Sequence, residues 1–69
     1  MNIWGEIRNE FDDDNNVVHI YGYLTADDNE SPNVIAKVDM NTLEVEYIDP
    51  RAKTDGYAQD MINEAIEDI

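Results

Sequence analysis

Few side chains in this chain are of a kind that does chemistry, and their spacing decides how far each can be taken. His19 is the only histidine, and there is no cysteine. His19 sits within an apolar run with no nucleophile fixed near it, which reads as a surface strand residue and not as a base. Ser31 precedes a proline in a polar loop, and no nucleophilic triad assembles around it. Glu44 and Glu46 share a parity, so on a strand they stand roughly 7 Å apart. Glycosidase carboxylate pairs have a similar separation. A two-layer domain of this size offers no evident cleft for a sugar, so no catalysis is expected.

Two acid clusters have the residue types of a divalent-cation site: Asp12, Asp13 and Asp14, and Asp27, Asp28 and Glu30. The first opens like a calcium loop, with Asp12, Asp14 and Asn16 at alternate positions. It then fails, because Val17 stands where the loop needs glycine and Tyr23 where it needs a bidentate glutamate. Weak calcium binding is the most these clusters predict, and no dedicated metal site or cofactor is expected. Arg51 and Lys53 flank a helix start, a place where anions meet backbone amides. They are better read as offsetting local acid.

That acid is the dominant feature of the composition. Seventeen Asp and Glu oppose four Lys and Arg, for a net charge of −13 in 69 residues. Direct binding to nucleic acid or to an anionic membrane runs against this balance, because phosphates reward Lys and Arg. A basic partner is favoured; solubility alone is the plainer reading. Disorder is not expected, since 42% of residues are hydrophobic and fall in periodic blocks. No apolar run approaches the ~20 residues that span a bilayer. The first residues lack the basic and apolar regions of a signal peptide, so a cytoplasmic protein is the expectation.

These side chains must be positioned by a small scaffold. The length predicts one domain over 1–69, which buries only about 60% of its unfolded-chain surface. The longest apolar run, Val17 to Leu24, lies between Asp/Asn-rich turn signals and reads as a central strand. Residues 2–11 alternate as a first strand, with Ile3, Gly5, Ile7 and Phe11 on one parity. Residues 34–40 form a third strand, with Val34, Ala36, Val38 and Met40 inward. Residues 43–48 form a fourth, with Leu43, Val45 and Tyr47 inward. A short turn at Asn41-Thr42 sets Val38 opposite Val45 and Lys37 opposite Glu46. Thr54 or Asp55 caps a helix whose apolar stripe is Ala58, Met61, Ile62, Ala65, Ile66 and Ile69. Glu67 and Asp68 oppose its dipole, which predicts a frayed last turn. The expected fold is α+β: a four-stranded antiparallel meander with one C-terminal helix packed on one face, in two layers. Gly5 and Gly22 fall on the inward parity, where glycine marks either close approach of another element, here the helix, or a bulge.

The other face is then open. Alternation puts Trp4, His19, Tyr21, Tyr23, Ile35 and Ile48 on it, edged by carboxylates. An aromatic patch on an open sheet reads as an interface. Its occupant is a basic protein surface or a second copy of the chain. For a basic partner, the carboxylates expected to make contact are Asp12, Asp13, Asp14, Asp27, Asp28, Glu30, Glu44 and Glu46. In size, charge and layout the chain resembles the acidic DNA-mimic inhibitors of phages and mobile elements, including some anti-CRISPR proteins. No motif matches such a family residue by residue, so the resemblance assigns no site. It implies a non-enzymatic module that occupies a nucleic-acid-binding surface. A self-associating domain and a weak calcium binder are the alternatives.

Overall fold

The computed structural model describes residues 3–25 and 32–69. Four strands, β1 (Glu6–Asp12), β2 (Val17–Tyr23), β3 (Asn33–Asp39) and β4 (Val45–Tyr47), form one antiparallel sheet in the order β1-β2-β3-β4. A 3-10 turn (Pro50–Lys53) leads into the helix α1 (Gly56–Asp68), which packs on one face. This is the expected meander with its helix.

The turns follow from their acids and amides. Between β1 and β2 the Asp12 carboxylate accepts the Asn15 N–H at 3.3 Å and its Nδ2 at 2.8 Å, and Asn16 takes a left-handed φ of 54°. Between β3 and β4 the Asp39 carboxylate accepts the amides of Asn41 and Thr42, at 2.7 and 3.2 Å. The hairpin register is the expected one, with Lys37 against Glu46 and Val38 against Val45. Leu43 departs from expectation. It carries the left-handed turn, at φ 64°, and is 44% exposed instead of inward. β4 is correspondingly short. Leu24, on the parity of Val18, Ile20 and the inward Gly22, lies beyond the end of β2 and is 60% exposed.

The core is Ile7, Val18, Ile20, Ala36 and Val38 from the sheet, with Ala58, Ile62 and Ala65 from α1. The helix runs along the edge strand β1. Tyr57 Oη accepts the Ile7 N–H at 3.0 Å, and one turn later the Met61 carbonyl accepts Asn9 Nδ2 at 2.8 Å. One helical turn of about 5.4 Å keeps step with two strand residues of about 6.8 Å. The helix thereby occupies an edge amide that a foreign strand could use. Glu67 and Asp68 do not shorten it: α1 is continuous to Asp68, and the Ile69 N–H bonds the carbonyls of Ala65 and Ile66.

Two side chains expected on the open face belong to the core. Trp4 is 4% exposed and Ile35 is 1% exposed. Trp4 precedes β1, so strand alternation does not govern it. Its indole lies against Gly22, where an added Cβ meets Cδ1 and Nε1 at 2.7 Å, and Arg51 covers it with Cζ 5.7 Å from a ring centroid. Gly22 therefore makes room for a tryptophan and not for the helix. Gly5 is exposed and outside the strand. Ile35 is turned inward by a bulge. The β2–β3 register passes from Ile20↔Ala36 to Tyr21↔Val34, skipping Ile35. Ile35 and Ala36 both become buried, and Val34 moves to the position opposite Tyr21. The Ile35 carbonyl then accepts the amides of both Ile48 and Asp49, each at 3.0 Å.

Asp55 is the one buried charged residue among those described, 3% exposed. Its Oδ1 caps α1 by accepting the Ala58 N–H at 3.1 Å, and its Oδ2 accepts the Ile3 N–H at 2.8 Å. Burial pushes its pKa up, but the amides of Ile3, Ala58 and Tyr57 outweigh that and hold it below the ordinary carboxylate value. Asp55→Ala is expected to cost about 2–3 kcal/mol, roughly 1 for the cap and the rest for the stranded Ile3 amide. Asparagine retains a cap acceptor but turns an NH2 toward Ile3, so Asp55→Asn should fall between. Because the folded pKa is depressed, the contribution of the carboxylate charge is present at neutral pH. It is lost as pH falls through the ordinary Asp value of about 3.9 and below. Urea melts of the wild type and of Asp55→Asn at pH 7 and at pH 3 check this. The difference between the two proteins should narrow in acid, and a difference of constant size removes the charge of Asp55 from the account.

Candidate functional site

Antiparallel register builds the open face in rows. Reading across β1 to β4, one row is Glu10, His19, Lys37 and Glu46, and the next begins Asp12, Val17, Asp39. Glu44 closes that second row, its carbonyl accepting the Asp39 N–H at 2.9 Å. Away from these, Arg8 stands opposite Tyr21, and Glu6 opposite Tyr23.

A meander places its first and third turns at the same end of the sheet. Asp12, Asp13 and Asp14 on the first turn and Glu44 and Glu46 on the third hairpin therefore gather at one end. Glu10 and Asp39 join them, which the acid clusters in sequence did not include. Alternation marks Glu10, and the hairpin register that pairs Lys37 with Glu46 also sets Asp39 against Glu44; the β2–β3 register, Val17↔Asp39, then joins Asp39 to the first turn. Glu10, Asp13, Asp14, His19 and Tyr21 line a hollow of about 440 Å³ on this face. A smaller one, about 290 Å³, lies between Asn16, Lys37, Asp39, Glu44 and Glu46. Asp27, Asp28 and Glu30 lie outside the described residues.

The cations do little to offset this end. Arg8 Nη2 pairs with Glu6 at 2.8 Å and Arg51 Nη2 with Asp49 at 2.6 Å, each a carboxylate two residues away. The hydrogen bond to Glu6 raises the Arg8 pKa, and that to Asp49 raises the Arg51 pKa. Lys53 Nζ lies over Tyr47, 5.5 Å from the ring centroid, on the helix side. Lys37 alone, of the Lys and Arg in the chain, stands among the gathered carboxylates. Hydrogen bonding from Asn15 lowers the Asp12 pKa.

Of the aromatic patch, His19, Tyr21 and Tyr23 are on the open face and half-buried, and Ile48 is exposed beyond β4. His19 and Tyr21 have ring centroids 6.0 Å apart. Arg8 lies over Tyr23, with Cζ 4.9 Å from the centroid. Trp4 and Ile35, removed to the core, leave a self-association face with fewer anchors than alternation implies. Among the described residues, no three His, Asp or Glu converge as ligands for a metal ion. No helix among them is long and apolar enough to cross a membrane. No family model matches the chain, and no match to it is found among curated proteins or solved structures.

Proposed function

We propose that this chain is a non-enzymatic, acidic protein-binding module of the cytoplasm that occupies a basic surface on a nucleic-acid-binding partner. The observation that carries this reading is the gathering of Glu10, Asp12, Asp13, Asp14, Asp39, Glu44 and Glu46 at one end of a rigid sheet, with Lys37 as the single cation among them. Carboxylates at i and i+2 on a strand repeat every 7 Å or so, a rough figure from strand rise. Held on antiparallel strands about 4.8 Å apart, they form a fixed negative surface whose ordering cost is met on folding. A partner built to grip phosphates with Lys and Arg meets the same charge here.

The test is capture from a bacterial lysate on immobilised protein, with elution by a salt gradient. The expected result is a nucleic-acid-binding protein released at moderate salt and displaced by duplex DNA. The variant Asp13→Lys/Asp14→Lys/Glu44→Lys/Glu46→Lys alters exposed residues only. It should lower affinity for the captured protein about a hundred-fold, at roughly 0.5–1 kcal/mol for each position. Binding that neither the reversals nor DNA disturb sinks the reading.

A further inference from the structure

The open sheet face joins carboxylates to aromatic rings, and that combination selects among basic side chains. We propose that the partner docks on this face and presents arginines to it, in preference to lysines; this rests on the function proposed above and names the chemistry of its contact. Charge complementarity fixes the sign of the occupant. Glu10, Asp12, Asp39 and Glu46 border the face, and a second copy of a chain of net charge −13 is repelled from it.

The preference for arginine comes from the rings. Within this face the chain already holds one guanidinium: Arg8, with Glu6 2.8 Å from Nη2 and with Cζ over the Tyr23 ring, 4.9 Å from its centroid. A planar fork takes a carboxylate in its plane and a ring on its face at the same time. A lysine ammonium is a hydrated point charge and gains less from the ring. The same pairing recurs beside it without a cation of its own. Tyr21 and Glu10 line one hollow, and among the described residues no Lys or Arg lies over the Tyr21 ring. The exposed carboxylates of α1, Asp60, Glu64, Glu67 and Asp68, have no exposed aromatic ring on their own helix, where Tyr57 is half-buried against β1. That face distinguishes poorly between the two cations.

Hexa-arginine and hexa-lysine peptides, equal in charge, are titrated into the full chain at about 150 mM salt, where exposed charges are screened beyond roughly 8 Å. Calorimetry gives the affinities and amide chemical shifts map the contacts. Hexa-arginine should bind tighter by roughly two- to five-fold for each stacked guanidinium, as expected of exposed cation–π contacts. Its shifts should centre on His19, Tyr21 and Val34. Tyr21→Leu keeps a half-buried strand residue of similar bulk; it should bring the ratio of the two peptides to within about two-fold, with the larger loss of affinity on hexa-arginine. Equal affinity of the two peptides for the wild-type chain overturns the arginine preference and leaves the charge-based function standing. Failure of both peptides to bind overturns that function as well. Shifts centred on Asp60 and Glu64 overturn the docking face. Concentration-dependent dimerisation through Tyr21 without peptide overturns the choice of occupant.

Discussion

Trp4→Ala is expected to bring this domain to the edge of unfolding at ordinary temperature. Trp4 is 4% exposed and packs between Gly22 and Arg51, so its truncation removes a buried indole and leaves a cavity under the 3-10 turn. Such truncations cost about 3–5 kcal/mol. A chain of 69 residues has a total stability of only about 3–10 kcal/mol, at roughly 0.05–0.15 kcal/mol per residue. Far-UV circular dichroism through a urea titration measures the loss. Tyr21→Ala, half-buried on the open face, is the control and should cost about 1 kcal/mol or less. If the two variants lose similar stability, Trp4 is not where the core places it.

Gly22→Ala is expected to destabilise the domain through a direct clash. A Cβ at this position falls 2.7 Å from Trp4 Cδ1, 2.7 Å from Trp4 Nε1 and 2.9 Å from Ile35 Cγ2. These are closer than atoms can pack, and all three belong to buried side chains. Two effects oppose each other. Replacing a strand glycine lowers unfolded-state entropy and gains about 0.5–1 kcal/mol. Overpacking a filled core costs about 1–3 kcal/mol, and with a rigid indole held under Arg51 the upper part of that range applies. The net loss should lower the melting temperature by several degrees, at about 4–8 °C per kcal/mol in a domain this small. In a Trp4→Phe background, where Nε1 is gone, the added penalty should shrink, because residues in contact couple. An unchanged or raised melting temperature for Gly22→Ala shows that the indole can move aside without loss.

The same two residues mark how far the order of residues determines this molecule. Alternation and turn chemistry are local, and they suffice for the meander, for the Lys37–Glu46 and Val38–Val45 register, for a helix cap at Thr54 or Asp55 and for the apolar stripe of α1. Each depends on neighbours within a few positions: β-branched runs, Asp and Asn in turns, apolar residues at three- and four-residue steps. The departures also have local causes. Parity counting across residues 2–11 assumes that the strand begins at once, but β1 starts at Glu6, and Trp4 folds back over Gly22. Counting through 34–40 assumes an unbroken pleat, but the skipped residue at Ile35 reverses the parity for Val34 and Ile35. Leu43 carries a left-handed turn that its residue type does not announce.

The acidity of the candidate site is a property of composition, legible without a fold. Its location is not. Asp12, Asp13 and Asp14 are far from Glu44 and Glu46 along the chain, and only the antiparallel return of β2 and β3 sets the two turns at one end of the sheet. The local hairpin register sets Asp39 beside Glu44, but its pairing with Val17, which carries it to Asp12, is encoded by no local pattern. Charge sums over residues wherever they lie. A charged surface needs strands held side by side at fixed register, and that is decided by long-range hydrogen bonding and by the burial of one face against a helix.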